Sequence, residues 1–147
     1  MHQVLGFYTN LVGSTTKVRK GVNLVALRKG KCLNRDLANT FVHNVNEREV
    51  LDALNDIGDN KAPGVDGYTS HFFKAAWNVI RVEVLEVVKK FFNKQSLYPT
   101  VNCTLITLIP KSNDACTMKD MRPISCCTTF YKIISKILTK RLNKVID

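Results

Sequence analysis

Four lysines, Lys132, Lys136, Lys140 and Lys144, recur at every fourth position near the C-terminus, a spacing that stacks them along one side of a helix. A row of like charges must face either solvent or an anion. It therefore has two readings, a solvated helix face or a set of contacts to a phosphate backbone. Two more cations, Lys111 in "IPK" and Arg122 in "RPI", flank a short loop between apolar runs. Each is ordinary as a solvated turn residue, and across a short loop the two can also converge on one anion. Asp66 has no second carboxylate near it in the turn "GVDG", so it is expected to bond its own turn backbone and not a metal.

No catalytic or metal-ligating set emerges. The five cysteines, Cys32, Cys103, Cys116, Cys126 and Cys127, include no C-x-x-C pair, and the three histidines lie far from them in sequence. Neither a zinc site nor a disulfide framework is expected, and free thiols point to an intracellular chain, in nucleus or cytoplasm. No apolar run reaches membrane-spanning length, and the first residues lack the charged and apolar regions of a secretory signal, so no membrane partner is expected.

A chain of 147 residues with 45% apolar composition holds one modest core. Its formal charge of +10, from 22 basic and 12 acidic side chains, favours an anionic partner, with nucleic acid the first candidate. The charge falls in blocks of +6 over residues 1–40, −3 over 41–80, +2 over 81–120 and +5 over 121–147. Such blocks are commonly solvated faces, so the motifs must carry the argument further.

The elements that would position these cations are readable from residue 46 onward. Residues 1–40 predict a short helix near Val4–Val12 and then loop, because Gly, Ser and Lys interrupt the apolar spacing. Asn46 with Glu49 starts a helix over about 47–57 whose Val50, Ala53, Leu54 and Ile57 share one face, with Gly58 as its stop. "KAPGVDG" is a shaped loop. Ser70 then caps a helix that turns Phe72, Phe73, Ala76, Trp77 and Ile80 inward, and a second helical segment follows over about Val82–Asn93. These aromatics fit buried faces better than a base-stacking platform. "CTLITLIP" predicts a strand ended by Pro110, and "MRPIS" a second short strand or turn. A final helix over about Thr129–Ile146 buries Ile133, Ile134, Ile137, Leu138, Leu142 and Val145 and carries the lysine row beside that stripe.

Three stretches in this order, "KAPGVDGYTSHFFKAAWNVI", "FFNKQSLYPTVNCTLITLIPK" and "DMRPISCCTTFYKIISKILTKRL", resemble the start of the reverse transcriptase domain of plant non-LTR (LINE-type) retrotransposons. The likeness runs from about Phe41 to Asp147, and "FYTNLVGS" looks like the linker that precedes the domain in such elements. It implies residues 1–40 as a linker-like segment and 41–147 as the N-terminal fingers portion. The fold implied is α+β, mainly helical, a partial right-hand polymerase fold with a small β element. Val65 stands where the family usually has Pro, a change that affects turn stiffness and removes no side-chain chemistry.

The resemblance implies triphosphate contacts for Lys111 and Arg122, and nucleic-acid partners, RNA template and DNA. Nucleotidyl transfer needs divalent ions clamped by carboxylates, which the family supplies from the palm, downstream of this stretch. After Arg122 the sequence has one acidic residue, Asp147, and nowhere an aromatic-x-Asp-Asp turn. The expectation is thus a fragment of an RNA-directed DNA polymerase truncated before the palm and inactive alone. Mg²⁺ and a deoxynucleotide triphosphate are expected only for the complete domain. Its helices should expose apolar surface that a palm would cover. The rival readings are a small basic RNA/DNA-binding or adaptor protein derived from such an element, without catalysis, and one exon of a longer, active gene.

Overall fold

A computed structural model describes residues 2–13, 21–29 and 35–146. The chain divides into two compact units, one of residues 1–32 with 108–123 and one of 33–107 with 124–147.

The first unit holds α1 (His2–Val12), α2 (Leu24–Arg28) and the loop end of a hairpin formed by β1 (Thr104–Pro110) and β2 (Met121–Cys127). α2 lies where the Gly- and Lys-broken sequence predicted loop. Asn23 supplies the missing signal, because its Oδ1 accepts from the Val25 and Ala26 N–H groups at 3.1 Å each and ends two orphan donors of the first turn. The strands run antiparallel: Thr104 meets Cys127 at one end and the Lys111 N–H donates to the Asp120 carbonyl at the other, so numbers rise on one strand as they fall on its partner. A 3₁₀ turn over Met118–Asp120 closes into β2. It is held by a reciprocal cap in which Asp120 accepts from the Thr117 N–H at 3.0 Å and hydroxyl at 2.6 Å.

The larger unit holds α3 (Arg35–Val42), α4 (Glu47–Asn55), α5 (Ser70–Ala75), α6 (Trp77–Lys94) and α7 (Thr129–Ile146). α7 packs against α3, α4 and α6, and the shared core is Val50, Ala53, Leu54, Trp77, Val84, Val88, Ile133 and Ile137 with their neighbours. α4 forms as its pattern dictates, with Asn46 Oδ1 accepting the Glu49 N–H at 2.9 Å. α3 was not expected, and it runs across the anticipated boundary at residue 41.

Three local readings need correction. The cap of α5 is Thr69, whose Oγ1 accepts the Phe72 N–H at 3.4 Å, because the Ser70 hydroxyl is spent on the Gly58 carbonyl at 2.9 Å. The break between helices falls at Ala76, which leaves helical geometry at φ −89° and ψ 3°, so Trp77 and Ile80 belong to the long α6. Leu142 is exposed, and its inward place is taken by Arg141, the next residue in the four-spaced row Ile133, Ile137, Arg141. The side chain of Val145 lies outside the described residues.

The aromatics divide as well: Phe73 and Trp77 are buried, Phe73 meets Phe130 edge to face at 5.2 Å, and Phe72 is exposed. The inner faces of α4, α6 and α7 are covered. Exposed apolar side chains lie elsewhere: on α1 and α2 at Leu5, Leu11, Leu24, Val25 and Leu27, on the hairpin at Leu105, Ile106, Ile109 and Ile124, and on the outside of α6 at Val79 and Val82.

The "KAPGVDG" loop is shaped by two glycines for different reasons. Gly67 has φ +74°, which a side chain would strain, and its N–H closes a turn onto the Gly64 carbonyl at 3.1 Å. Asp66 Oδ1 accepts the Tyr68 N–H at 3.3 Å, bonding its own turn. Gly64 is needed for space: a Cβ there would stand 2.5 Å from the Thr128 nitrogen and 2.7 Å from its Cα. Thr128 then donates its hydroxyl to the Val101 carbonyl at 3.0 Å, and Thr129 donates to the Tyr68 carbonyl at 3.0 Å. The start of α7 is thereby pinned to two preceding segments. We expect Gly64→Ala to lose about 1–3 kcal/mol in urea unfolding, since the obstacle is backbone and cannot turn aside. Gly58→Ala, whose Cβ would meet only the Lys61 side chain at 3.8 Å, should stay within about 0.5 kcal/mol of the parent.

Candidate nucleic-acid interface

α7 presents its cations from the flank of a buried stripe. Ile133 and Ile137 are fully covered, each contributing about 1.5–3 kcal/mol by leaving water, and this fixes the helix's rotation. With rotation fixed, the lysine row lies alongside α4 and the loop after it, where it splits into two kinds of residue. Lys132 donates its Nζ to the Ala62 carbonyl. Lys140 donates to the Asp52 carbonyl at 3.1 Å and pairs with the Asp56 carboxylate at 2.8 Å, so it closes the C-terminal end of α4. Lys136 and Lys144 are exposed and make no side-chain hydrogen bond or ion pair among the described residues.

Asp56 answers to two of these lysines. Its hydrogen bond from Lys140, and behind it the Lys140 and Lys136 charges, hold its exposed carboxyl below the ordinary value of 3.8. A cleft of about 400 Å³ opens beside it, floored by Ile57 and Tyr131 and rimmed by Lys61, Lys132 and Lys136.

On its buried row α7 is clamped by a residue that the lysine period does not include. Arg141, only 3% exposed, donates Nε to Glu49 Oε1 at 2.7 Å and a terminal nitrogen to Oε2 at 2.9 Å. Its other terminal nitrogen donates to the Phe41 carbonyl at 3.0 Å, and its guanidinium lies 4.9 Å over the Phe92 ring. One side chain thus ties α7 to α3, α4 and α6. The available signal was position: Arg141 falls on the apolar row, where a charge must be paired.

Lys111 and Arg122 sit in the first unit, at the loop end of the hairpin. The Lys111 Nζ donates to the Lys119 carbonyl, and Arg122 is exposed on β2 without an ion pair among the described residues. The strand pairing between Lys111 and Asp120 brings the two cations to the same end of the hairpin, one at the close of β1 and one at the start of β2. Among the described residues no three His, Cys, Asp or Glu side chains converge as metal ligands, and no helix is long and apolar enough to cross a membrane.

The Arg141 clamp makes stability depend on acid. Burial pushes the Glu49 carboxyl up, but the hydrogen bond and charge of Arg141 outweigh it, and its pKa lies below the ordinary 4.5. A carboxyl with a depressed pKa in the fold stabilises above its unfolded pKa, and that contribution disappears as pH falls through the folded value. Glu49→Gln should therefore flatten the fall of urea-unfolding stability below about pH 4.5 relative to the parent. Arg141→Ala, which strands the partly buried carboxylate and opens a gap over Phe92, should cost about 3 kcal/mol at neutral pH.

No family model matches the chain. Over 98 residues, 67% of its length, it is 34% identical to part of the "Transposon TX1 uncharacterized 149 kDa protein" of Xenopus laevis. The matched stretch spans 8% of that protein's length. This similarity supports a transposon origin for the chain.

Proposed function

We propose that the chain is the fingers portion of a non-LTR retrotransposon reverse transcriptase of the plant type, contributing template and nucleotide contacts. The observation that carries this reading is the 98-residue similarity to a transposon protein, joined to the ordered motifs from "KAPGVDG" to "RPIS". The placement of Lys111 and Arg122 at one end of the hairpin suits a shared triphosphate contact once Lys111 releases the Lys119 carbonyl, and the exposed Lys136 and Lys144 suit a template backbone. The apolar hairpin, with Leu105, Ile106, Ile109 and Ile124 each between 43% and 55% exposed, suits a surface that a neighbouring subdomain covers. The sequence has no aromatic-x-Asp-Asp turn, and among the described residues no three His, Cys, Asp or Glu side chains converge as metal ligands, so this reading gives the two-metal clamp of nucleotidyl transfer to the palm of a complete domain.

A second reading, a small basic RNA- or DNA-binding or adaptor protein without catalysis, is favoured by the closed core of the larger unit. Both readings predict binding that is sequence-tolerant and falls steeply with salt. Both also predict no primer extension when the 147-residue chain is given primer–template, Mg²⁺ and all four deoxynucleotides. Templated incorporation above a no-protein control would overturn both. Replacing Lys136 and Lys144 together by Gln should lower the slope of log affinity against log salt by about 1.4 for a single strand, as two lost phosphate contacts require. An unchanged slope would make the row a solvated face.

A further inference from the structure

The concavity beside α7 sets this chain apart from a helix that merely carries lysines. We propose that the cleft between the C-terminal end of α4 and the first half of α7 is a binding site for one phosphate-bearing nucleotide unit. In it Lys61 and Lys136 hold the phosphate and the Tyr131–Ile57 wall receives the base or sugar. The site rests on the nucleic-acid reading above and adds Lys61, on the loop after α4, to the residues that reading uses.

Three features of the cleft lead to this ligand. Its volume of about 400 Å³ is at the small end of small-molecule sites, about 300–1,000 Å³, which suits a single unit and excludes a duplex. Its wall is mostly apolar, from Ile57, Cys127 and the Tyr131 ring, with the Ser125 and Thr139 hydroxyls between, so a bare inorganic anion would leave most of it unused. Its charge is positive where it is free. Lys132 on the rim is committed to the Ala62 carbonyl, and the carboxylate of the cleft, Asp56, is neutralised by Lys140 at 2.8 Å. The exposed cations left at the rim are Lys61 and Lys136, one from each wall, so an anion drawn to both is drawn over the apolar floor.

The same chemistry could arrive as part of a single strand or as a free nucleotide, and the experiment separates these sources. An eight-residue oligouridylate carrying one 4-thiouridine is bound to the whole chain and irradiated, and the crosslinked peptide is mapped. Affinity is measured across a salt series for the parent, for Lys61→Gln with Lys136→Gln, and for Lys89→Gln with Lys94→Gln on the exposed side of α6. We expect crosslinks at the Tyr131 segment and a slope lowered by about 1.4 in the cleft variant but not in the α6 variant.

Uridine monophosphate that displaces the oligouridylate while inorganic phosphate at the same concentration does not would assign the pocket to the nucleotide unit and admit the free ligand as a source. Displacement by neither would restrict the site to the strand. Equal slopes in the two double variants, or crosslinks confined to the exposed Tyr68–Phe72 pair, would overturn the cleft while leaving salt-dependent nucleic-acid binding in place. An oligouridylate that does not bind the parent chain at all would overturn both. Because Lys61 and Lys136 are exposed, unchanged thermal melts of the variants verify that binding and not folding has been altered.

Discussion

The contact between Gly64 and the backbone of Thr128 is the constraint on which the larger unit turns. Two chain segments about sixty residues apart approach until no Cβ fits between them, and the hydroxyls of Thr128 and Thr129 lock the junction to Val101 and Tyr68. This fixes where α7 starts. The rotation of α7 then follows from Ile133 and Ile137, and its far end from the Arg141 clamp on Glu49 and the Phe41 carbonyl. A helix held at both ends and along one stripe has no freedom left for its flank, so core packing decides which lysines reach a partner and which stay exposed. The cationic surface is a consequence of core packing, not an independent feature.

How far this was legible depends on the range of the interaction involved. α4 follows from its cap residue and apolar period and α7 from its apolar period, all local signals, and the structure places both within two residues of the expectation. β1 and the stop at Pro110 follow from β-branched enrichment in the same way. α2 was hidden because its one strong signal, the Asn23 cap, precedes only five helical residues and no buried one. α3 was hidden because it is held from outside, through its Phe41 carbonyl and the distant Arg141. The break at Ala76 carries no residue signal at all, since alanine favours helix and no side chain caps α6.

Long-range pairing explains the rest of what pattern reading missed. Glu49 was legible as a helix-start residue, and its backbone does take the Asn46 cap, but its carboxylate goes to Arg141 across ninety-two positions. Nothing within a helical turn of either residue announces that pair. The apolar hairpin shows the converse. Its first strand follows from β-branched, apolar residues, yet two strands alone have no covering layer, so Leu105, Ile106 and Ile124 remain open to water. Sequence reports that a surface is apolar; the topology decides what covers it.

The lysine row illustrates a competition that spacing cannot resolve. A helix leaves its last carbonyls without partners, and the negative end of its dipole draws cations, so a lysine within reach of the end of α4 is more useful to the fold than to a ligand. Lys140 is within that reach and takes the Asp52 carbonyl together with Asp56. One turn earlier, Lys136 passes the same helix end without a carbonyl to accept from it and keeps its charge for solvent or an anion. Two turns earlier, Lys132 finds the Ala62 carbonyl in the loop that Gly64 holds against α7. Identical residues at identical spacing thus divide into structural and available cations. What divides them is the position of a neighbouring helix end and of one glycine.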